Sequence, residues 1–188
     1  MAKTLFLVPR MYTETEFKNL ANSLPDDFKQ KTDEFWVYVN ERLTMFSGKI
    51  NKIYRDRVCK AGEEALSQLH LMDGENYKIV KVLVENGASF IATEDPLLVG
   101  ESESWAKMLK SQQSNTVVYE LFQQNLEDRI RYISKRIDET LEDNEIGVLF
   151  IEPDLRVELD KDTKIIRMCR FDPSDYLKSW QIQKQLQK

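Results

Sequence analysis

Hydrophobic positions along this chain fall into short apolar runs, each stopped by a polar group. Residues 5–8, 50–54, 89–92 and 147–151 are followed by Pro9-Arg10, Arg55-Asp56, Thr93-Glu94 and Glu152-Pro153-Asp154. Runs this short predict strands buried on both faces. If the strands run parallel, the polar groups that end them meet along one edge, where open α/β sheets bind ligands.

Between the runs the apolar spacing turns helical. Thr13 with Glu16 three residues on is a capping box for a helix over 14–24, which Pro25 breaks. Asp26 or Asp27 opens the next helix, where Phe28, Phe35, Val39, Leu43 and Phe46 recur on one face before Gly48. Gly62–Met72 places Ala65, Leu66 and Leu69 together, and Asp73-Gly74 is a turn signal. Tyr77, Val80 and Val84 mark a helix over 77–84, ended by Asn86-Gly87. Asp95-Pro96 starts another, with Asp at the N-cap and Pro at N1. The longest helix is read over 116–141, with apolar residues from Val118 through Ile133 to Leu141 at steps of three or four. Residues 164–169 alternate loosely and form a candidate edge strand, and Asp172-Pro173 opens a last helix whose tail, 181–188, is read as frayed. The order β-α-α-β-α-α-β-α-α-β-β-α predicts one α/β domain over 1–188. Its sheet is mostly parallel, four- to five-stranded, with helices on both faces and right-handed crossovers.

Composition adds bounds. A chain of 188 residues suffices for one domain with a real core. A net charge of -5 argues against nucleic acid or an anionic membrane as the main partner, since phosphate binding needs a basic face. Cys59 and Cys169 stand in unrelated contexts without a CxxC, so neither a disulfide framework nor a zinc site is expected. No apolar run approaches a membrane span and the start lacks the pattern of a signal peptide, so the expected location is the cytoplasm.

Motifs for known chemistry are missing: there is no P-loop, no GxGxxG and no GxSxG. The one histidine, His70, falls inside a predicted helix, not at a strand end. The candidate acids are Asp56, Glu94, Glu152 and Asp154. Together they could bind Mg²⁺ or Mn²⁺ or split their pKa values as an acid–base pair; apart, they are solvated loop acids. Arg129 and Arg136, seven apart on the long helix, share a face. They are either an anion clamp or structural partners of acids such as Asp56 and Glu94. Trp36 and Trp105 read as core or interface anchors, and Trp180, in a polar helix, as a candidate partner surface.

Four segments taken together resemble an uncharacterised family of bacterial and archaeal cytoplasmic proteins. They are IYRDRV (53–58), GENYKIVKVLVENGA (74–88), TEDPLLVGE (93–101) and RIRYISKRIDETLEDNEIGVLF (129–150). The family's corresponding patterns are IYQDGL, GSxNYxLLxxLxxxGA, TESPxLLLxEY and RDRFIAxRIDETL followed by GILFIGAxH. The resemblance implies a single α/β domain and brings no known activity. Strand-end histidines of typical members loosely resemble the GxxH-type motifs of the TraB/Tiki group of metal-dependent hydrolases. This chain departs at those positions, with Tyr12 and Leu155 where the histidines stand and Ile130 in place of the acid of the RD pair. The polar set retained is Asp56, Asn76, Tyr77, Thr93, Glu94, Arg129 and Arg136.

Two functional readings follow, from different classes, with a third beside them. The first is a non-catalytic ligand-binding or regulatory protein with no cofactor. Its polar pocket at the strand C-terminal edge takes a small polar or anionic ligand or a protein partner, with Asp56, Asn76, Tyr77, Thr93, Glu94, Arg129, Arg136 and Glu152 as the candidate site. The second is a Mg²⁺- or Mn²⁺-dependent hydrolase built on Asp56, Glu94 and Glu152. The third is a homo-oligomer joined through the C-terminal helix around Trp180.

Overall fold

A computed structural model describes residues 3–111 and 116–186. The strands β1 (Lys3–Pro9), β2 (Lys52–Arg55), β3 (Ser89–Phe90), β4 (Ile146–Ile151) and β5 (Thr163–Arg167) form one sheet in the order β3-β2-β4-β1-β5. Every pairing is parallel, with Val8 opposite Phe150 and Arg55 also opposite Phe150 from the other side. Between the strands lie α1 (Glu14–Ala21), α2 (Phe28–Thr44), α3 (Gly62–Met72), α4 (Gly74–Glu85), α5 (Pro96–Lys110) and α6 (Thr116–Thr140), and α7 (Pro173–Leu186) follows β5. The element order is the one the apolar pattern predicts.

Local signals explain most boundaries. Thr13 and Glu16 close a reciprocal capping box, and Asn22 ends α1 in the left-handed region at φ 62°. The Asp95 side chain accepts from the backbone N–H of Leu97 and Leu98, with Pro96 at the first helical position. Several boundaries differ from the sequence reading: α1 stops at Ala21, short of the predicted 24 and of Pro25, and β2 begins only at Lys52. The third strand keeps only Ser89 and Phe90, and α4 begins at Gly74, earlier than the predicted 77, because Asp73 caps it by accepting from Asn76 N. Of the tail expected to fray, 181–186 continues α7, while 187–188 lie outside the described residues.

The strand period of two sorts side chains into two cores. Phe6 and Val8 of β1, Ile53 of β2 and Val148 and Phe150 of β4 face α1–α4 and α7, against Phe17, Phe35, Val39, Leu69 and Leu177. Leu5, Tyr54, Leu149 and Ile151 point the other way, onto Ile133 and Ile137 of α6. Gly147 also belongs to that second side: a Cβ there would meet Leu5 Cδ1 at 3.0 Å and Leu141 Cδ1 at 3.2 Å. The chain therefore leaves β1 and β2 toward one face and β4, which lies between them, is reached from the other. Neighbouring strands whose connections diverge in this way open a crevice at their C-terminal ends.

Candidate functional site

Arg10 occupies that crevice. Its backbone N–H donates to Ile151 O at 2.8 Å, which extends the β1–β4 ladder one residue past the strand. The side chain then lies across the sheet edge and is 0% exposed. Its Nε donates to Asp56 Oδ1 at 3.0 Å, and Nη1 and Nη2 donate to the Glu16 carboxylate at 2.8 and 2.9 Å. Glu16 thus serves both the capping box of α1 and the arginine. Asp56, also 0% exposed, accepts in addition from Glu152 N at 3.2 Å and from Arg55 Nη1.

Alternation along β2 sends Arg55 to the same side as Ile53, toward α4. There its Nε donates to Asn76 Oδ1 at 3.0 Å, and Nη2 lies 3.5 Å from Asp73 Oδ2. Asp73 caps α4 through Oδ1, which accepts from Asn76 N at 3.1 Å. The ends of β1, β2, β4, α1 and α4 are in this way tied through two guanidiniums. Burial alone would raise the Asp56 carboxyl, yet Arg10, Arg55 and Arg57 overcome it and hold the group well below the usual carboxylate range. Burial works against the Arg10 guanidinium too, and Asp56 and Glu16 more than offset it, so Arg10 stays charged.

A second buried pair stands beside the first. Arg129 of α6 donates from Nε and Nη2 to the Glu94 carboxylate, both at 2.7 Å, and from Nη1 to Ser102 Oγ at 3.1 Å. Glu94 Oε1 also accepts from Arg57 N at 2.7 Å. Arg57 reaches that geometry by adopting φ 63°, a left-handed conformation that L residues take with strain. Thr93 locks the same loop: its Oγ1 accepts from Arg55 N at 3.0 Å and donates to Ile91 O at 2.9 Å.

Of the residues proposed from sequence, Asp56, Asn76, Thr93, Glu94 and Arg129 are buried at this edge, and Glu152 joins at its rim, 3.7 Å from Arg57 Nη2. Three others lie elsewhere. Arg136 donates to Ala92 O at 3.3 Å and pairs with Glu139 on the helix surface, so it forms no clamp with Arg129. Tyr77 stacks on His70, with ring centroids 4.4 Å apart, away from the crevice. Asp154 is exposed and near Lys178. Arg10, Arg55, Glu16 and Asp73 were missing from the sequence-derived set. The signal for the first two was present as the polar groups ending the first two strands.

The oxygens of Asp56 and Glu94 already accept from guanidiniums and backbone amides. Among the described residues no three His, Cys, Asp or Glu side chains gather as a ligand set for a metal ion. Leu155 is buried with Leu5 and Ile133. Trp180 is half-buried and packs against the main core. Among the described residues no helix is long and apolar enough to cross a membrane.

Beside Asp73 opens a pocket of about 550 Å³. The β1–α1 loop, the first half of α2 and the α3–α4 turn form it, with Tyr12, Thr32, Trp36 and Asp73 in its walls. Tyr12 is 3% exposed, and burial together with Asp154 and Glu152 pushes its phenol far up, so it is a neutral hydroxyl. A wider cleft of about 820 Å³ runs between α6 and the segment after β4, but charged side chains dominate its lining and it does not touch the buried cluster. Comparison with protein families, curated proteins and solved structures found no match.

Proposed function

We propose that this chain is a non-catalytic ligand-binding protein whose site is the pocket lined by Asp73, the residue that joins it to the Arg10–Asp56–Arg55 cluster. The observation that carries the reading is the burial of three charged side chains, Arg10, Arg55 and Asp56, at 0–1% exposure, tied through Arg55 to Asp73, which lines an open cavity. Ions removed from water incur several kcal/mol each, and an apolar core of the same volume is as stable or more so. Such clusters concentrate at sites where a fixed polar surface is needed. This one lies where the connections of adjacent parallel strands diverge, the place open sheets use for ligands. The set offers positioning groups and no activated nucleophile, consistent with binding without turnover. Two unpaired, half-buried thiols favour a reducing cytoplasmic setting.

Thermal unfolding against a panel of small metabolites tests the proposal. A true ligand raises the melting temperature of the native chain and leaves Thr32→Trp, which fills the pocket, unmoved. Arg136→Ala, outside the pocket, keeps the native response. A panel in which no compound shifts melting, or in which every shift survives Thr32→Trp, sinks the idea.

A further inference from the structure

We infer that this chain associates with a second copy of itself through α5. In the dimer, α5 of each copy lies antiparallel to the other, with its basic end over the groove between α3 and α5 of its partner.

The hairpin of α5 and α6 stands apart from both cores. Among the described residues, Ser102 is the one buried side chain of α5, and Asn125 is the one buried side chain over 116–126 of α6. Both are polar. Every apolar residue of these two stretches, Trp105 and Phe122 included, keeps contact with solvent. Leu97, Met108, Val117 and Leu121 are 42–76% exposed. Residues 116–126 carry a single charge, Glu120. On α5, helical periodicity places Leu97, Ser104 and Met108 on one outward side. An exposed helix normally turns charged groups outward, and an apolar side left open marks an interaction surface. Beside it a groove of about 740 Å³ opens toward α3, lined by the apolar residues Leu71, Pro96 and Val99 and by Glu63, Glu64 and Glu103. The one cation in that lining, Lys60, is paired with Glu64.

Charge identifies the occupant. Along α5, Glu101 and Glu103 come first and Lys107 and Lys110 follow. A parallel copy would set lysine beside lysine and glutamate beside glutamate. An antiparallel copy, related by a two-fold axis near Ser104, sets Lys107 and Lys110 of each chain beside Glu103 and Glu63 of the other. The two-fold makes this contact twice. The same rotation brings Leu97 against Met108 of the second copy, and the small Gly100 and Ser104 let the two helices approach closely. These four charges are free to pair in this way: Glu63, Glu103, Lys107 and Lys110 have no ionic partner among the described residues. Glu103 and Lys107 even have the i,i+4 spacing at which Lys60–Glu64 and Lys135–Glu139 pair within their own helices. A partner that was simply acidic or simply basic would match half of this surface and be repelled by the rest, whereas the chain carries both the groove and its complement.

The contact is modest in size. At 1.5 Å per residue α5 offers about 22 Å of length, and with the groove the dimer buries on the order of 1,000 Å² in all, the low end for a specific interface. The dimer therefore dissociates in the micromolar range.

Sedimentation velocity on the full chain, from micromolar to submillimolar concentration, tests the assignment. Expected is a monomer–dimer equilibrium that weakens as salt is added. Lys107→Glu with Lys110→Glu, and separately Glu63→Lys with Glu103→Lys, place like charges at both contacts and should each weaken self-association by roughly tenfold or more. All four positions are exposed, so circular dichroism and melting of both variants should match the native chain. Mixed together, the two variants should form a heterodimer of near-native strength, because each then meets opposite charge at both contacts. Leu97→Ser with Met108→Ser should weaken association at low and high salt alike. A native chain that stays monomeric over the whole range overturns the inference. A dimer that none of the variants weakens overturns it too, since the interface then lies elsewhere, and so does a mixture of the folded charge variants that fails to associate.

Discussion

Arg10 and Asp56 are bonded although their strands are not neighbours. β4 runs between β1 and β2, so the 3.0 Å contact from Arg10 Nε to Asp56 Oδ1 spans two strand spacings across the end of β4. Only a long side chain laid flat over the sheet edge makes that reach, and Glu152 N, one residue past β4, joins the bridge midway. Removing one partner leaves the other charge buried and alone. Arg10→Met and Asp56→Asn should each lower stability by about 3–5 kcal/mol, measured by urea unfolding. A loss under 1 kcal/mol from either would show that the bridge forms no part of the folded core.

The same contact sets an acid limit. Asp56 has a folded pKa depressed below its unfolded value, and Glu16, which burial would raise, is lowered by Arg10. Depressed carboxyls contribute stability that is fully present above the unfolded pKa of roughly 4 and is lost as the pH falls through the folded values. Melting temperature should thus hold from neutrality to about pH 5 and drop steeply below pH 4. Asp56→Asn should start lower and show a shallower acid slope. Identical slopes for the two proteins would contradict the assignment.

Glu94 and Arg129 offer a separate test, because their bidentate pair is buried on both sides, with 1% exposure each. Glu94→Leu and Arg129→Met alone should each cost about 3–5 kcal/mol, while the double variant should recover most of that. A double-mutant cycle by chemical denaturation reads the coupling directly. Additive losses would mean that each residue acts through neighbours such as Arg57 N and Ser102, not through the other.

Much of this architecture was legible in the chain because its signals are local. The capping box at Thr13 and Glu16, Asp95 before Pro96, and the apolar runs ending in polar groups each state their structure within a few residues. The site was legible only in part. Asp56 and Glu94 stood out as strand-end acids, but which charges they meet depends on strand order, and the β3-β2-β4-β1-β5 arrangement places residues 46 apart in contact. Arg10 and Arg55 resemble ordinary surface arginines in sequence; burial distinguishes them, and burial is a tertiary property. Arg136 shares a helix face with Arg129, yet two turns farther along that face meets the loop carbonyl of Ala92 and solvent. Asp73 showed as half of a turn signal, and nothing local marks a cap as also the edge of a pocket.

Cys59 should be a sluggish thiol. Burial first, then the carboxylates of Glu94 and Asp95, push its pKa up to about 11. At pH 8 its thiolate is on the order of a hundredfold scarcer than that of a cysteine with the usual pKa of roughly 8.5. Alkylation by iodoacetamide, followed by peptide mass spectrometry, should be slower at Cys59 by about that factor than for a model thiol, and should accelerate up to about pH 11. Rapid modification at pH 7 would contradict the environment described here.

Arg57 reverses the usual ranking of glycine and alanine. Its φ of 63° directs its N–H onto Glu94 Oε1, and its side chain is half-exposed near Glu152. Arg57→Gly and Arg57→Ala both forfeit the rim ion pair, worth about 0.2–1 kcal/mol. They differ in the Cβ, which clashes with the following carbonyl in left-handed backbone by roughly 1–2 kcal/mol. Glycine has a larger unfolded-state entropy to lose, about 0.5–1 kcal/mol, which opposes that gain without cancelling it. The glycine variant should therefore melt higher than the alanine variant, by a difference on the order of 0.5–1 kcal/mol at a shared reference temperature. If alanine proves equal or better, the backbone at Arg57 is not left-handed in solution, and the amide that completes the Glu94 carboxylate must come from elsewhere.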